Sequence, residues 1–256
     1  MAKRYLGQNF LYDPSILKRI IQVAQLSRED VVVEIGPGPG RLTRMLAERV
    51  RKVIAIELDK MLFEELKTEL ADYKNMEFIH GDALKYPYES LPEFKVVANI
   101  PYYITTPIIF RLLKVRKNLR SMTFTVQKEV AERIAAAPGG RDYGVLSLMV
   151  QYYAEPRLKF IISKRAFRPM PRVDSAVLHI KILERPSVSV KDEELFFKVI
   201  KTSFSQRRKM LSNSLKSLRE DIRDRLIQAG IDPERRPETL GIEEFARLSD
   251  ILSSPF

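Results

Sequence analysis

The stretch VVVEIGPGPG, residues 31–40, joins a run of apolar, β-branched residues to three glycines at alternate positions. β-Branched residues favour a strand, whereas glycines let the backbone turn sharply and present N–H groups at the start of a helix. The next segment, LTRMLAERV (42–50), has apolar residues at helical spacing. The sequence therefore predicts a buried strand, a turn that can approach a ligand closely, and a helix.

The same alternation of strand and helix extends along the first two-thirds of the chain, which predicts an α/β fold with a mostly parallel, twisted sheet. The further predicted strands are VIAIE (53–57), MEFIH (76–80), FKVVAN (94–99) and 121–126, and the further helices are 60–70, 106–116 and 128–137. Two later strands, LKFIIS (158–163) and SAVLHIKI (175–182), have no helix between them. They predict an antiparallel pair at the edge of the sheet.

A change of pattern near residue 187 predicts two domains. The segment ERPSVSV (184–190) has the composition of a linker, and only helical patterns follow Asp192. We therefore expect an α/β domain over residues 1–186 and a small all-helical domain over residues 187–256.

Composition excludes several classes of function. The chain has no cysteine, so disulfides, thiolate zinc sites and cysteine nucleophiles are excluded, and its two histidines do not predict a metal centre. No apolar run has the length of a membrane span and the N-terminus does not resemble a signal peptide, so we expect a cytoplasmic protein without membrane association.

Positive charge is concentrated in one part of the chain. The net charge is +11, and residues 157–225 carry 18 Lys and Arg against 8 Asp and Glu. A concentrated basic surface indicates a polyanionic partner such as nucleic acid. The alternative is a soluble surface that happens to be rich in Lys and Arg.

Three successive strand ends carry residues suited to binding adenosine. GPGPG (36–40) follows the first predicted strand, Glu57 ends the next and could accept two ribose hydroxyls, and Asp82 follows the third and could accept from a purine amino group. This pattern is typical of Rossmann-like methyltransferases that use S-adenosylmethionine. A nicotinamide dehydrogenase, the competing interpretation, would need the longer G-x-G-x-x-G pattern and a proton-relay group, and neither is present.

The tetrapeptide Asn-Ile-Pro-Tyr (99–102) closes the fourth predicted strand. The Asn99 side-chain oxygen and the Ile100 carbonyl could accept both hydrogens of a planar amino group, which would favour a more tetrahedral nitrogen. Pro101 would stiffen the turn, and Tyr102 could stack on a base. Alone, the tetrapeptide could also be an ordinary strand end followed by a turn. It resembles the (N/D/S)-P-P-(Y/F/W) motif of methyltransferases that act on a planar amino nitrogen, in its adenine-directed variant. Together with Glu57 and Asp82, this resemblance implies an amino methyltransferase.

Along nearly its whole length the sequence resembles the KsgA-type small-subunit rRNA adenine dimethyltransferases. The matching blocks are GQNFL (7–11), EIGPGPGRLT (34–43), IELD (56–59), GDAL (81–84), NIPYYITTPIIF (99–110), QKEVAERI (127–134), YGVLSLMVQYY (143–153), FRPMPRVDSAV (167–177) and SFSQRRKMLSNSL (203–215).

The resemblance implies a role for each matching residue. For S-adenosylmethionine, the resemblance implies that Gln8, Asn9 and Leu11 cover it and that Gly36 and Gly38 contact it through the backbone. It further implies that Glu57 binds the ribose, that Asp82 and Ala83 bind the adenine, and that Asn99 lies beside the cofactor. The implied catalytic residues are Asn99, Tyr102 and Phe167, the last as a second aromatic ring against a flipped adenine.

The substrate implied by the resemblance is a pair of adjacent adenosines in a hairpin loop near the 3′ end of small-subunit (16S) rRNA, each methylated twice at N6. The implied partner is the assembling 30S subunit. We expect the enzyme to be a monomer, and we expect its helical domain to bind RNA as well. The residues expected to contact RNA phosphates are Arg165, Arg168, Arg172, Arg207, Arg208 and Lys209.

Two alternatives remain open at this point. An Erm-type large-subunit rRNA methyltransferase shares the glycine turn and the Asn-Ile-Pro-Tyr motif, although TP-x-x-F after that motif and QRRKMLSNSL (206–215) favour the small-subunit family. A ribosome-assembly factor with the same fold but without catalysis is the other alternative. The intact residues Asn99, Tyr102, Phe167 and Glu57 argue against it.

Overall fold

The computed structural model describes residues 9–206 and 208–253. The chain divides into two compact units, one from Met1–Ala131 and Pro156–Ile182, the other from Glu132–Glu155 and Leu183–Phe256. This division differs from the single boundary that the sequence suggested after residue 186. Residues 132–155 belong to the second unit because Tyr143, Leu148 and Tyr152 are buried in its core.

Strands and short helices alternate through the first part of the chain. In the described ranges the strands are β1 (Phe10–Leu11), β2 (Val31–Ile35), β3 (Lys52–Glu57), β4 (Met76–His80), β5 (Phe94–Asn99), β6 (Leu119–Gln127), β7 (Ala154–Ile162), β8 (Phe167–Arg168) and β9 (Ser175–Ile182). The α-helices are α1 (Pro14–Val23), α2 (Arg41–Ala47), α3 (Lys60–Glu69), α4 (Thr105–Lys114), α5 (Lys128–Ala135), α6 (Val145–Gln151), α7 (Glu193–Ser205), α8 (Leu211–Ser214), α9 (Ile222–Gln228) and α10 (Ile242–Leu252).

A seven-stranded sheet in the order β4-β3-β2-β5-β6-β9-β7 forms the framework of the first unit. The pairs from β4 to β6 are parallel, and β9 runs antiparallel to β6. The strand order reverses between β2 and β5, and open parallel sheets bind ligands outside the carboxyl ends of their strands at such a reversal. The predicted α/β class is confirmed, and β7 lies beside β9 at the edge as expected.

A second, two-stranded sheet was not predicted from the sequence. β1 pairs with β8 so that Phe10 lies opposite Arg168 and Leu11 opposite Phe167. Strands of two residues carry no recognisable alternation, so only the folded chain could show this pairing. It holds Phe10 near the carboxyl ends of β2, β3, β4 and β5.

The second unit is helical and has its own apolar core. Phe196, Phe245 and Leu211 have no exposed surface, and the ring centroids of Tyr152 and Phe196 lie 5.0 Å apart. Among the helical patterns after Asp192, residues 209–218 form only the single-turn helix α8. Serine and asparagine follow Leu211, and their side chains compete with the backbone for hydrogen bonds.

In the ranges that the structure describes, no helix has both the length and the apolar character needed to cross a membrane.

Candidate cofactor and base site

A cavity opens at the carboxyl ends of β2, β3, β4 and β5. It is lined by Asn9, Phe10, Ile35, Gly36, Ile56, Glu57, Leu58, Gly81, Asp82, Ala83, Leu84, Asn99, Ile100, Pro101, Tyr102, Tyr103 and Ile104. The residues predicted from three strand ends and from the Asn-Ile-Pro-Tyr motif therefore meet around one space. This convergence follows from the sheet topology, since the four strands are parallel neighbours.

The glycine turn between β2 and α2 requires glycine at residue 38. Its φ is +56°, in the left-handed region, and a Cβ added there would lie 2.5 Å from Cε1 of Phe10. The backbone N–H of Gly38 donates to Oε2 of Glu57 at 3.1 Å. The turn is therefore close to the N-terminal segment and joined to the acidic residue at the end of β3.

Glu57 is 2 % exposed and ends β3. Burial raises the pKa of its carboxyl, and hydrogen bonds from the N–H groups of Asp59 (2.9 Å, to Oε1) and Gly38 oppose that rise. Each carboxylate oxygen has two acceptor positions. Both oxygens can therefore accept a further hydrogen bond, which suits a ribose with two hydroxyl donors.

Asp82 and Ala83 follow β4, on the same wall of the cavity. Oδ1 of Asp82 accepts from the N–H of Leu84 at 2.9 Å, which holds the carboxylate in place. That bond occupies one of its four acceptor positions. An adenine amino group is a donor that such a carboxylate can bind.

Asn99 has a fixed amide orientation. Its Nδ2 lies 2.8 Å from the carbonyl oxygen of Asn9, and because a carbonyl can only accept, the amide nitrogen must face it. Oδ1 is then the atom left to accept from a substrate. The Asn9 carbonyl thus sets the direction of the amide acceptor in the Asn-Ile-Pro-Tyr motif.

Tyr102 is held at its hydroxyl end. The phenol oxygen lies 2.8 Å from Oγ of Ser175, the first residue of β9. Burial raises the pKa of Tyr102, opposed by this hydrogen bond, so the phenol stays protonated at neutral pH. The ring is half-buried and lines the cavity, where a flat ligand can reach it.

Phe167 is not brought to the cavity. Its ring has no exposed surface and belongs to the core cluster that contains Leu11, Leu17 and Val177. The cause is the pairing of β8 with β1, which turns residue 167 inward and leaves Arg168 exposed. In this arrangement the Phe167 ring packs in the core and does not line the cavity.

The predicted cover of the cofactor consisted of Gln8, Asn9 and Leu11, and the described members differ in position. Leu11 is 5 % exposed and packs in the same core, where it also borders a small cavity beside Gly36 and Asn99. Asn9 lines the main cavity. Gln8 lies outside the described residues.

Sequence reasoning missed two aromatic residues at the cavity. Phe10 lies between Asn9 and Leu11 in the GQNFL block and contacts the glycine turn. Tyr103 is 55 % exposed at the rim, and burial together with the charges of Asp82 and Glu57 raises its pKa. The doubled tyrosine after Pro101 was a signal in the sequence that could have identified Tyr103.

The basic residues expected to meet RNA are at the surface. Arg165, Arg168 and Arg172 are exposed in the first unit, and Arg208 and Lys209 are exposed in the second. Arg207 lies outside the described residues. Across residues 9–206 and 208–253, no group of three or more His, Cys, Asp or Glu side chains is placed to hold a metal ion.

The strand order, the glycine turn after β2 and the carboxylates after β3 and β4 define a Rossmann-like class I methyltransferase. Class I enzymes take their methyl group from S-adenosylmethionine. Residues 1–254 match the family described as ribosomal RNA adenine dimethylase, and the chain belongs to that family.

Similar proteins agree with this assignment. A "Ribosomal RNA small subunit methyltransferase A" of Clostridium botulinum is 51 % identical over 254 residues, which cover 96 % of this chain and 92 % of the relative. A protein of the same name from Moorella thermoacetica is 47 % identical, with 98 % and 93 % covered.

Solved structures show the same fold. A dimethyladenosine transferase from Plasmodium falciparum superposes with a TM-score of 0.80 at 28 % identity, covering 93 % of this chain and 95 % of that one. The 23S rRNA methyltransferase ErmE superposes with a TM-score of 0.77 at 29 % identity, covering 96 % and 100 %. The predicted family resemblance is confirmed.

Proposed function

We propose that this protein transfers methyl groups from S-adenosylmethionine to N6 of adenosine in small-subunit rRNA. The observation that carries the proposal is the Asn99 amide, whose Nδ2 is engaged by the Asn9 carbonyl so that Oδ1 serves as an acceptor beside the cavity. The finer proposal is that two adjacent adenosines in the 3′-terminal hairpin loop each receive two methyl groups.

The residues present fit the cofactor. Glu57 offers acceptors for two ribose hydroxyls, Asp82 offers one for the adenine amino group, and Gly36 lines the cavity without a side chain. Gly38 supports the site indirectly, because it does not line the cavity and its N–H is bound to Glu57. When bound, S-adenosylmethionine supplies a methyl group on a positively charged sulfur.

The chain's own part in the reaction is to hold and orient the nucleophile. The N6 lone pair of adenine is delocalised into the ring, so the amino group is a poor nucleophile. Asn99 Oδ1 and the Ile100 carbonyl would accept its two hydrogens and favour a tetrahedral nitrogen, which frees the lone pair. Tyr102 would stack on the base, for which stacking contributes about 1–3 kcal/mol.

No strong base is needed before the new bond forms. Neutral N6 can attack directly, and the nitrogen becomes acidic once it carries the additional methyl group. Its proton can then leave to solvent. The roles of Asn99 and the Ile100 carbonyl are thus those of neutral acceptors.

The choice of the small subunit rests on similarity. The relatives of about half-identical sequence are named for the small ribosomal subunit, whereas ErmE, named for 23S rRNA, is 29 % identical. We infer that the exposed Arg165, Arg168 and Arg172 bind phosphates around the site, where they would position the RNA without reading its sequence. Hairpin loops suit such an enzyme because their bases can be splayed out.

The direct test is methylation of ribosomal subunits. Small and large subunits lacking the modification are incubated with labelled S-adenosylmethionine, and the RNA is digested to nucleosides. We expect N6,N6-dimethyladenosine from the small subunit. Label confined to the large subunit, or no dimethyladenosine from either, would refute the proposal.

A second test isolates Asn99. Asn99→Ala removes the acceptor and should lower the methylation rate by about 100-fold or more, the magnitude typical of a lost oriented acceptor or donor in a transition state. Cofactor affinity, measured by calorimetry, should change by no more than a few-fold.

Asn118→Ala is the matched control for Asn99→Ala. Asn118 also donates from Nδ2 to a backbone carbonyl at 2.8 Å, that of Leu91, but it precedes β6 and does not line the cavity. If Asn118→Ala lowers the rate as far as Asn99→Ala does, or if Asn99→Ala abolishes cofactor binding, the assigned role of Asn99 is wrong.

A further inference from the structure

Ser175 makes a contact that the proposed mechanism does not use. It lies 73 residues after Tyr102 in the chain, and its Oγ is 2.8 Å from the Tyr102 hydroxyl. It has no exposed surface. A buried serine hydroxyl is therefore directed at the tip of a tyrosine that lines the cavity.

Ser175 is a rigid anchor. It pairs with Gln127 at the end of the β6–β9 ladder. The preceding residue, Asp174, is fixed on two sides, because its carbonyl accepts from the N–H of Lys128 at 3.0 Å and its Oδ1 accepts from the N–H of Lys164 at 2.9 Å. The hydroxyl of Ser175 therefore has a defined position in the sheet.

Tyr102 needs such an anchor. The torsion that rotates a tyrosine ring about its Cβ–Cγ bond has a broad energy profile, so packing or a hydrogen bond must choose the plane of the ring. Tyr102 is half-buried, which leaves part of the ring without neighbours to hold it. A hydrogen bond at the phenol oxygen fixes the end of the side chain farthest from the backbone.

We propose that Ser175 is a positioning residue, whose hydroxyl holds the Tyr102 ring in the plane in which it stacks on the target base. The inference rests on the proposed function, because it assumes that Tyr102 meets an adenine. It explains why the FRPMPRVDS segment ends in a serine at the start of β9. The competing explanation is that the bond only stabilises the fold.

The test is a double-mutant cycle of Ser175→Ala and Tyr102→Phe, with Ser203→Ala as the matched control. Ser203 is equally buried and also loses one 2.8 Å hydrogen bond, to the carbonyl of Val199, but it lies in the helical unit. For each variant kcat and KM are measured with unmethylated small subunits, together with cofactor affinity and the melting temperature.

A positioning role predicts a lower kcat at unchanged binding. Ser175→Ala should lower kcat by about tenfold, with KM for the subunit and cofactor affinity within about twofold of wild type. Adding it to Tyr102→Phe should cost nothing further, because the hydroxyl it would orient is already absent. Ser203→Ala should keep kcat within about twofold even where its melting temperature falls.

Other outcomes would refute either the role of Ser175 or the proposed function. If Ser175→Ala keeps kcat within twofold of an active wild type, or if it costs as much in the Tyr102→Phe background as alone, the inference is wrong while the proposed function stands. If Ser175→Ala does not fold, Tyr102→Phe still removes the bond, and an unchanged kcat for that variant refutes the inference. A wild type that forms no dimethyladenosine refutes the proposed function, and the role of Ser175 falls with it.

Discussion

Glu34 is a buried carboxyl with one oxygen that no other described group satisfies. It lies on β2, is 1 % exposed, and its Oε2 has no hydrogen-bond partner within the part of the chain that the structure describes. Burial raises its pKa to about 8, the charge of Glu57 adds to the rise, and the nearby Thr43 hydroxyl opposes it. The Thr43 hydroxyl is itself without a partner in the described ranges, so its influence is that of a nearby dipole.

Because the pKa of Glu34 is raised in the folded state, this residue lowers the stability of the fold above pH 4.5. Below the ordinary pKa of 4.5 both the folded and the unfolded state carry the proton, and Glu34 has no effect. Between 4.5 and about 8 the unfolded state releases the proton while the folded state keeps it. The free energy of unfolding then falls by about 1.36 kcal/mol for each pH unit.

Glu34→Gln should therefore stabilise the protein at neutral pH. Glutamine has nearly the same shape and is neutral at every pH, so the variant avoids the cost, which reaches about 3 kcal/mol at pH 7. For a chain of this size 1 kcal/mol corresponds to about 2–4 °C. We expect the melting temperature to rise by about 6–12 °C at pH 7 and to be nearly unchanged at pH 4.5.

The assay is thermal unfolding of wild type and variant from pH 4.5 to 8. The difference between the two proteins isolates Glu34 from all other titrating groups. Glu65→Gln, which removes an exposed carboxyl from α3, controls for the change in net charge. A difference that stays constant between pH 5 and 8, or a variant less stable than wild type at pH 7, would refute the reasoning.

Two further predictions concern the cavity. Gly38→Ala should destabilise the protein by about 1–2 kcal/mol through its left-handed φ and also weaken binding of S-adenosylhomocysteine, because its Cβ would displace Phe10. Gly139→Ala, with a φ of +89° and open space around it, should show the strain alone in the same melting and calorimetric measurements. Tyr103→Trp introduces the only tryptophan of the chain at the cavity rim, so its fluorescence should change on adding S-adenosylhomocysteine. Tyr73→Trp, outside the cavity, should not respond, and equal responses would contradict the placement of the site.

Much of the fold could be predicted because its elements are periodic. The strands 31–35, 76–80, 94–99 and 175–182 have the bounds that the sequence indicated. Their apolar runs and flanking breakers are local signals. α1 and α6 were not predicted, and the limits of the helical unit differ from the expectation because the assignment of residues 132–155 depends on packing with distant helices.

The candidate site could be predicted where it depends on strand ends. One cavity is lined by Gly36, Glu57, Asp82, Ala83, Asn99 and Tyr102, because the parallel strands before them end at the same edge. Asn9, implied by the family resemblance, lines the same cavity from the residue before β1. Phe167 is the instructive exception. The family resemblance implied a ring against the target base, but whether a ring faces a cavity or a core depends on the strand that pairs with it, here β1.

The sequence by itself determined the class of fold, the identity of the acidic and amide groups and their order along the chain. These follow from local periodicity and from residue chemistry, which need no knowledge of distant contacts. Tertiary structure alone decided that the Asn9 carbonyl orients Asn99, that Ser175 holds Tyr102 and that Phe167 is buried. Each depends on atoms 73 or more residues apart, or on a pairing of two-residue strands, and such contacts leave no periodic trace in the sequence.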